Sequence, residues 1–309
     1  MLWLDLGGGQ QQYNKNRIVV FLEGGLGNQL FHYAFCHVLK EITKKDIYLD
    51  CTEYQNTDTN PRNLEIKYFD LNIKLITTNK ELSKILKVNF YFLLFKKFVN
   101  KINIKCFKKK IFYPVNKQKI IFYPHLHYKN IYELSFDIKN RIYIYGEYLW
   151  HFSNFIPFRY FFINTLYPKI NLDSKNNMIY EKIKSSKNSC MIHVRRGDFV
   201  GIYELLDMDY YKMAMEIMRE KYSDISFFVF GNDFDFMQEN FIDDDCNVIN
   251  INNESKVIFD FVLMQSCKHK ILANSTLSFW LGFLGSGDVI YKENISPSFT
   301  YSAKNLIVL

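Results

Sequence analysis

The sequence predicts an α/β protein built on doubly wound parallel sheets. Three observations point there. Short apolar runs alternate with helix-period stretches in both halves of the 309-residue chain, a rhythm that joins parallel strands by helical crossovers. The first apolar run, Arg17 to Phe21, leads into a glycine-rich turn, Glu23-Gly24-Gly25-Leu26-Gly27-Asn28-Gln29, and then into a helical pattern. The second half restarts the same grammar: Cys190-Met191-Ile192 reads as a buried strand that runs into His193-Val194-Arg195-Arg196-Gly197-Asp198.

In chain order, residues 1–16 carry three glycines and three glutamines in succession and no apolar core of signal-peptide type, and are set aside as a flexible leader. Leu30, Phe31, Ala34, Phe35, Val38 and Leu39 mark the first helix, and Ile47 to Asp50 the second strand. Residues 80–103 read as mainly helical, 141–146 as a strand, and 155–167 as an aromatic helix. Residues 168–187 are polar, so the domain boundary is placed there, giving a first domain over 17–170 and a second over 171–309. The second domain is expected to hold strands at 189–194, 225–230 and 270–273 and helices near 208–221, 255–266 and 275–284.

Composition narrows the class. Apolar residues make up 48%, enough for a large core. No apolar run is long enough to span a bilayer. The six cysteines form no Cys-x-x-Cys pair and several sit in apolar runs, so neither a zinc site nor a disulfide framework is expected, and a reducing cytoplasm fits best. The net charge of +7 is uneven: residues 80–120 hold twelve lysines against one acid, Glu81. That is what a solvated face looks like. Beside Phe90-Tyr91-Phe92-Leu93-Leu94-Phe95, the same lysines could also rest on an anionic membrane surface. No nucleic-acid-binding motif accompanies the charge.

Two constellations carry the expected chemistry. In an open α/β sheet, ligands bind at the carboxyl ends of the strands, and Arg195 and Arg196 stand at such an end. Asn274-Ser275-Thr276 follows the strand near 270–273 and opens a helix. A Ser/Thr helix start is an ordinary cap, but it also offers hydroxyls and free N–H groups to a phosphate. Arg195 and this helix start together would grip a diphosphate without a metal. Asp260, on the helix before that strand, is either a contact to a base or ribose or a plain helix-start acid. Around the first turn, Gly25 and Gly27 let a backbone approach a ligand, and Asn28 and Gln29 supply amides.

Rival readings exist. The glycine turn departs from Gly-x-Gly-x-x-Gly at Leu30, yet Asp50 lies where a ribose-binding acid of an NAD(P) enzyme belongs. Asp207/Asp209, Asp233/Asp235 and Asp243/Asp245 each form Asp-x-Asp. Three copies make the pattern unspecific for metal, and solvated loops are expected for them. A third reading is a non-catalytic sugar- or membrane-binding protein using the basic aromatic segment.

Three stretches resemble glycosyltransferase family 11, the α-1,2-fucosyltransferases. They are residues 23–34, residues 193–198 as His-x-Arg-Arg-x-Asp, and residues 260–280 through Asp260 and Ile271-Leu-Ala-Asn-Ser-Thr-Leu-Ser-Phe-Trp280. Thr276 and Leu277 stand where the family often has Ser and Phe. The resemblance implies a GT-B architecture, two Rossmann-like domains facing across a cleft, the first on the acceptor side and the second binding GDP-fucose. It implies inverting transfer of L-fucose from GDP-β-L-fucose to the 2-hydroxyl of a galactose-terminated glycan, with no metal or other cofactor. Carried over by motif, Arg195 would hold the β-phosphate. His193 would lie against the nucleotide, Arg196, Asn274, Ser275 and Thr276 around the donor, and Asn28 at the cleft. Inversion needs a base for the acceptor hydroxyl, for which Asp198 and Glu204 are the candidates. A related α-1,6-fucosyltransferase activity and an NAD(P)-dependent oxidoreductase are the alternatives.

Overall fold

The first strand shows why the pattern was readable. In β1 (Arg17–Phe21) every residue after Arg17 is buried, because a parallel strand is covered on both faces and reads as an unbroken apolar run. The structure is a computed structural model that describes residues 17–55, 62–86, 111–115, 118–122, 143–145, 154–197, 205–253, 256–292 and 306–309. It divides into two compact units.

The first unit holds β1, helix α1 (Leu26–Thr43), β2 (Asp46–Asp50), β3 (Lys74–Ile76), α2 (Asn79–Leu86), β4 (Ile111–Val115), β5 (Gln118–Phe122) and β6 (Tyr143–Tyr145). Its sheet order is β3-β2-β1-β6-β5-β4. All neighbours are parallel except β4 and β5. Helix α1 buries Leu30, Phe31, Ala34, Phe35, Val38 and Leu39 completely, and ends where Lys44 turns left-handed at φ 54°. The helical expectation for 80–103 holds over α2. Residues 87–110, with the aromatic and lysine-rich core of the membrane-surface reading, lie outside the described residues, as do residues 1–16.

The second unit contains α3 (Arg159–Thr165), α4 (Ser174–Ser185), β7 (Asn188–Val194), α5 (Met208–Lys221), β8 (Ile225–Gly231), α6 (Phe234–Asn240), β9 (Cys246–Val248), α7 (Val257–Ser266), β10 (His269–Ile271), α8 (Thr276–Leu284), β11 (Val289–Tyr291) and β12 (Leu306–Val308). Its sheet is wholly parallel, in the order β12-β11-β10-β7-β8-β9. Counted from β7 this is 3-2-1-4-5-6, the order of the dinucleotide-binding Rossmann fold. Alternate residues Cys190, Ile192 and Val194 of β7 pack with Phe227 and Val229 of β8 against Tyr210, Tyr211, Ala214, Met215 and Met218 of α5.

The second unit begins at Ile156, ahead of the polar stretch where composition placed the boundary. Phe162 explains the shift. It sits 5.8 Å edge-on to the buried Trp280 of α8, while Arg159 donates from Nε to Phe283 O (2.8 Å) and from Nη2 to Gly285 O (2.6 Å). The aromatic helix is therefore part of the second core. The polar residues that follow are a helix start rather than a linker, since Asp173 accepts from Asn176 N and caps α4. Leu26–Asn28 and Glu65–Asp70 are also counted with the second unit. Cys36, Cys51, Cys190, Cys246 and Cys267 are free thiols. Among the described residues no helix is long and apolar enough to cross a membrane.

Candidate functional site

The second sheet changes winding direction between β7 and β10, and such a switch point opens a crevice at the carboxyl ends of the two strands. The register Ile192↔Ile271 brings Arg195 and Asn274 to matching positions three residues further on. There the chain leaves β10 for α8, whose start is capped by Ser275: its side chain accepts from Ser278 N at 3.2 Å. The first-turn amides of Thr276 and Leu277 have no acceptor within the helix. The backbone thus carries Arg195 and the Asn274–Thr276 helix start to the same edge of the sheet, and Arg195, Asn274, Ser275 and Thr276 are all partly exposed.

Both strand ends are tied from α5. Tyr211 donates to His193 O (3.2 Å) and Tyr210 to Leu272 O (2.7 Å). Sequence reading missed this pair; the available signal was two tyrosines on an apolar helix face, whose hydroxyls need partners when buried. His193 is buried, with Nδ1 2.5 Å from Ser278 Oγ. Burial, and then the charge of Arg195, push its ring down to about 3, so it is neutral at physiological pH.

The two arginines have different fates. Arg196 lies over the Phe236 ring at 4.0 Å, its Nε is 3.4 Å from Asp233 Oδ2, and its N–H donates to Asn232 Oδ1. Its guanidinium is anchored to Asp233 and Phe236 at the start of α6 through Nε and one face. Asp198 and Glu204, the two candidate bases, lie outside the described residues.

Asp260 stands in the first turn of α7, which follows β9 and so opens at the same carboxyl edge. Its Oδ1 accepts from Asn252 (2.8 Å), and Asn252 exchanges two further amide bonds with Asn176, itself held by Asp173. Burial raises the Asp260 carboxyl to about 6. A desolvated acid fixed through one oxygen suits a ligand contact better than a solvated helix-start acid does.

The glycine turn is built differently from the expectation. Gly24 has φ 81°, which favours glycine. Gln29 is fully buried and its Nε2 donates to Gly24 O (3.0 Å) and Asn63 O (2.8 Å). It shapes the loop and cannot also serve a ligand with those protons, so its place among the cleft residues is withdrawn. Gly25 has open space where a Cβ would be, whereas a Cβ on Gly27 would stand 2.4 Å from Leu277 N and from Thr276 Oγ1. Trp280 Nε1 donates to Gly27 O at 3.1 Å. Gly27 is thus a close-packing glycine against the start of α8, and Asn28 beside it stays partly exposed.

The acids of the rival readings are occupied. Asp50 is fully buried and accepts from Tyr143 OH (2.6 Å), Thr52 N and Thr52 Oγ1, so it cannot take a ribose as an NAD(P) enzyme would require. Asp207 and Asp233 cap α5 and α6. Asp243 and Asp245 close on Arg219 at 2.6 and 2.7 Å. With Cys246 they form a grouping that could surround a cation, but the guanidinium already supplies its countercharge. Asp207, Asp209, Asp235 and Asp243 are exposed, as expected of solvated acids, and Asp207 and Asp233 serve in addition as helix caps, and Asp243 and Asp245 as partners of Arg219.

The fold is that of the GT-B class, built from two Rossmann-like units. A solved α-1,6-fucosyltransferase, NodZ from Bradyrhizobium co-crystallised with GDP, shares the fold with a TM-score of 0.51 at 14% identity, over 90% of this chain and 96% of that one. The family model of glycosyl transferase family 11 matches residues 17–305, and the chain belongs to that family. It is 27% identical over 303 residues to the O-antigen biosynthesis glycosyltransferase WbnK of Escherichia coli, covering 92% of this chain and 95% of that protein. It is 32% identical over 111 residues to galactoside alpha-(1,2)-fucosyltransferase 2 of Rattus norvegicus, a match over 33% of this chain and 31% of that one.

Proposed function

We propose that the protein transfers L-fucose from GDP-β-L-fucose, with inversion and without a metal, to the 2-hydroxyl of a terminal β-galactoside. The observation that carries the reading is the switch point itself: Arg195 after β7 and the capped start of α8 after β10, held at neighbouring strand ends. Family membership supports fucosyl transfer, and the mammalian relative's name supports the 2-hydroxyl of a galactoside. The name of WbnK favours an acceptor that is a growing surface polysaccharide.

In this reading the acceptor oxygen attacks the anomeric carbon as the bond to the β-phosphate breaks. Asp198 or Glu204 takes the hydroxyl proton. The bonding pair leaves with GDP, whose new charge meets the Arg195 guanidinium and the Thr276 and Leu277 amides. A permanent, forked cation does there what a bound metal does in other transferases. His193 lies against the nucleotide and Asp260 accepts from its base or ribose.

Incubation with GDP-fucose and a panel of β-galactosides in EDTA tests this. The expected product is α-linked 2-O-fucosyl galactoside at an undiminished rate. Bound GDP-fucose with no transfer to any galactoside would remove the acceptor assignment, and abolition of transfer by EDTA would remove the metal-free mechanism.

Asp260 adds a pH dependence. The ionised carboxylate accepts from a ligand N–H or O–H more strongly than the neutral acid does. With its carboxyl raised to about 6, affinity for GDP-fucose should weaken as pH falls through that value. The sugar-linked diphosphate has no terminal phosphate monoester to titrate there. Asp260→Asn should bind more weakly and show no such dependence, as read by calorimetry between about pH 5 and 8.

A further inference from the structure

The contact between His193 and Ser278 has a proton assignment that the surrounding geometry fixes. Ser278 Oγ lies 2.5 Å from His193 Nδ1 and 3.0 Å from Ala273 N. The Ala273 amide can only donate, so Oγ accepts from it. The hydroxyl then has one proton to place. If Nδ1 carried a hydrogen it would also donate to Oγ, and the hydroxyl proton would need another acceptor. Ser278 is fully buried, which excludes bulk water, and among the described residues its side chain has no third partner. The arrangement that satisfies every group has Ser278 O–H donating to an unprotonated Nδ1.

We propose that Ser278 is a positioning residue that locks His193 in its Nε2–H tautomer, so that the ring meets the donor nucleotide as a neutral hydrogen-bond donor. The tautomer follows from the contacts alone; its use rests on the switch point being the donor site. Among the described residues the Nδ1 contact is the one hydrogen bond the ring makes, which leaves Nε2–H for an acceptor oxygen of the ligand. Ser278 is itself held, since its N–H is taken by the Ser275 cap. The end of β10, the start of α8 and the end of β7 are thus joined through one hydroxyl. The same contacts bear on charge. An imidazolium would need Nδ1 to donate where a donor already points, and burial beside Arg195 already disfavours it. A neutral donor leaves Arg195 as the formal charge that this strand end presents to the diphosphate.

The test is nitrogen NMR of the full-length, histidine-labelled protein without ligand, with His193 assigned by its loss in His193→Gln. The expected spectrum shows Nε2 protonated and Nδ1 unprotonated, in one form from about pH 5 to 8. An Nδ1–H tautomer, a mixture of the two or an imidazolium in the wild-type protein overturns the proposal. In Ser278→Ala the single tautomer should give way to a mixture and GDP affinity should fall about tenfold, the equivalent of one good hydrogen bond. Ser278→Thr, which keeps the hydroxyl, should restore the tautomer and bring affinity back to within about twofold. Persistence of the pure Nε2–H form in Ser278→Ala would show that another group sets it and would overturn Ser278's role. Should the alanine variant fail to fold, the wild-type and threonine spectra still decide. Absence of GDP binding by a wild-type protein whose His193 has the expected tautomer would locate the failure in the nucleotide reading, and with it the ring's stated use.

Discussion

Arg195→Lys should lose about 100- to 1000-fold in transfer rate, the usual loss when a preorganised group at a developing charge is removed, with the fold intact. Lysine keeps the charge but not the fork, and a diphosphate oxygen pair is met bidentately only by guanidinium. The neighbouring arginine cannot take over, because Arg196 is held by Asp233 and stacked on Phe236. The loss should fall mainly on kcat, since charge on the departing GDP develops in the transition state. Arg196→Lys should instead lower stability through the Phe236 stack while leaving most of the turnover. Steady-state kinetics and melting curves on both variants separate the roles. Equal losses in kcat from the two substitutions would contradict this division of labour.

Gly27→Ala should destabilise the folded protein by about 2 kcal/mol or more, the range of overpacking in a closed site. The added Cβ would stand 2.4 Å from Leu277 N, a backbone atom at the start of a helix that cannot swing aside as a side chain can. Relief would pull Gly27 O away from Trp280 Nε1, and Trp280 is the centre of an edge-on cluster with Phe162, Phe279 and Phe283. Gly25→Ala is the control. Its Cβ meets nothing within 4 Å and its φ of −76° is ordinary for any residue, so its stability should change by less than about 0.5 kcal/mol. Urea denaturation of the three proteins measures both values; a Gly27→Ala variant as stable as Gly25→Ala would contradict the close-packing role.

What could be read from the sequence depended on how each residue is satisfied. The strands β1 and β7 were legible because burial on both faces leaves an apolar run within each, and β2 and β8 because their apolar residues are bounded by polar or turn residues. Residues 74–76, 246–248, 289–291 and 306–308 form strands too short to show any period. Arg195 and the Asn274–Thr276 helix start were legible as a pair because parallel topology puts strand ends on one edge. The misreadings share a cause: a polar side chain looks like a ligand contact until its internal partner is known. Gln29 serves a carbonyl 34 positions away, at Asn63. Asp50 serves Tyr143, 93 positions away. No local pattern encodes such pairings. Ser278 was invisible for the opposite reason, since one hydroxyl within the apolar helix 276–284 reads as filler. The polar stretch read as a domain boundary holds a capped helix start, because a capped helix start and a linker have the same polar composition.

The most direct test of the whole account is a crystal structure with GDP. The account predicts the diphosphate at the carboxyl ends of β7 and β10, with oxygens in hydrogen-bond reach of the Arg195 guanidinium and of the Thr276 or Leu277 amide. A nucleotide lodged instead at the Gly24–Gly25 turn after β1, with Arg195 not touching phosphate, would contradict it.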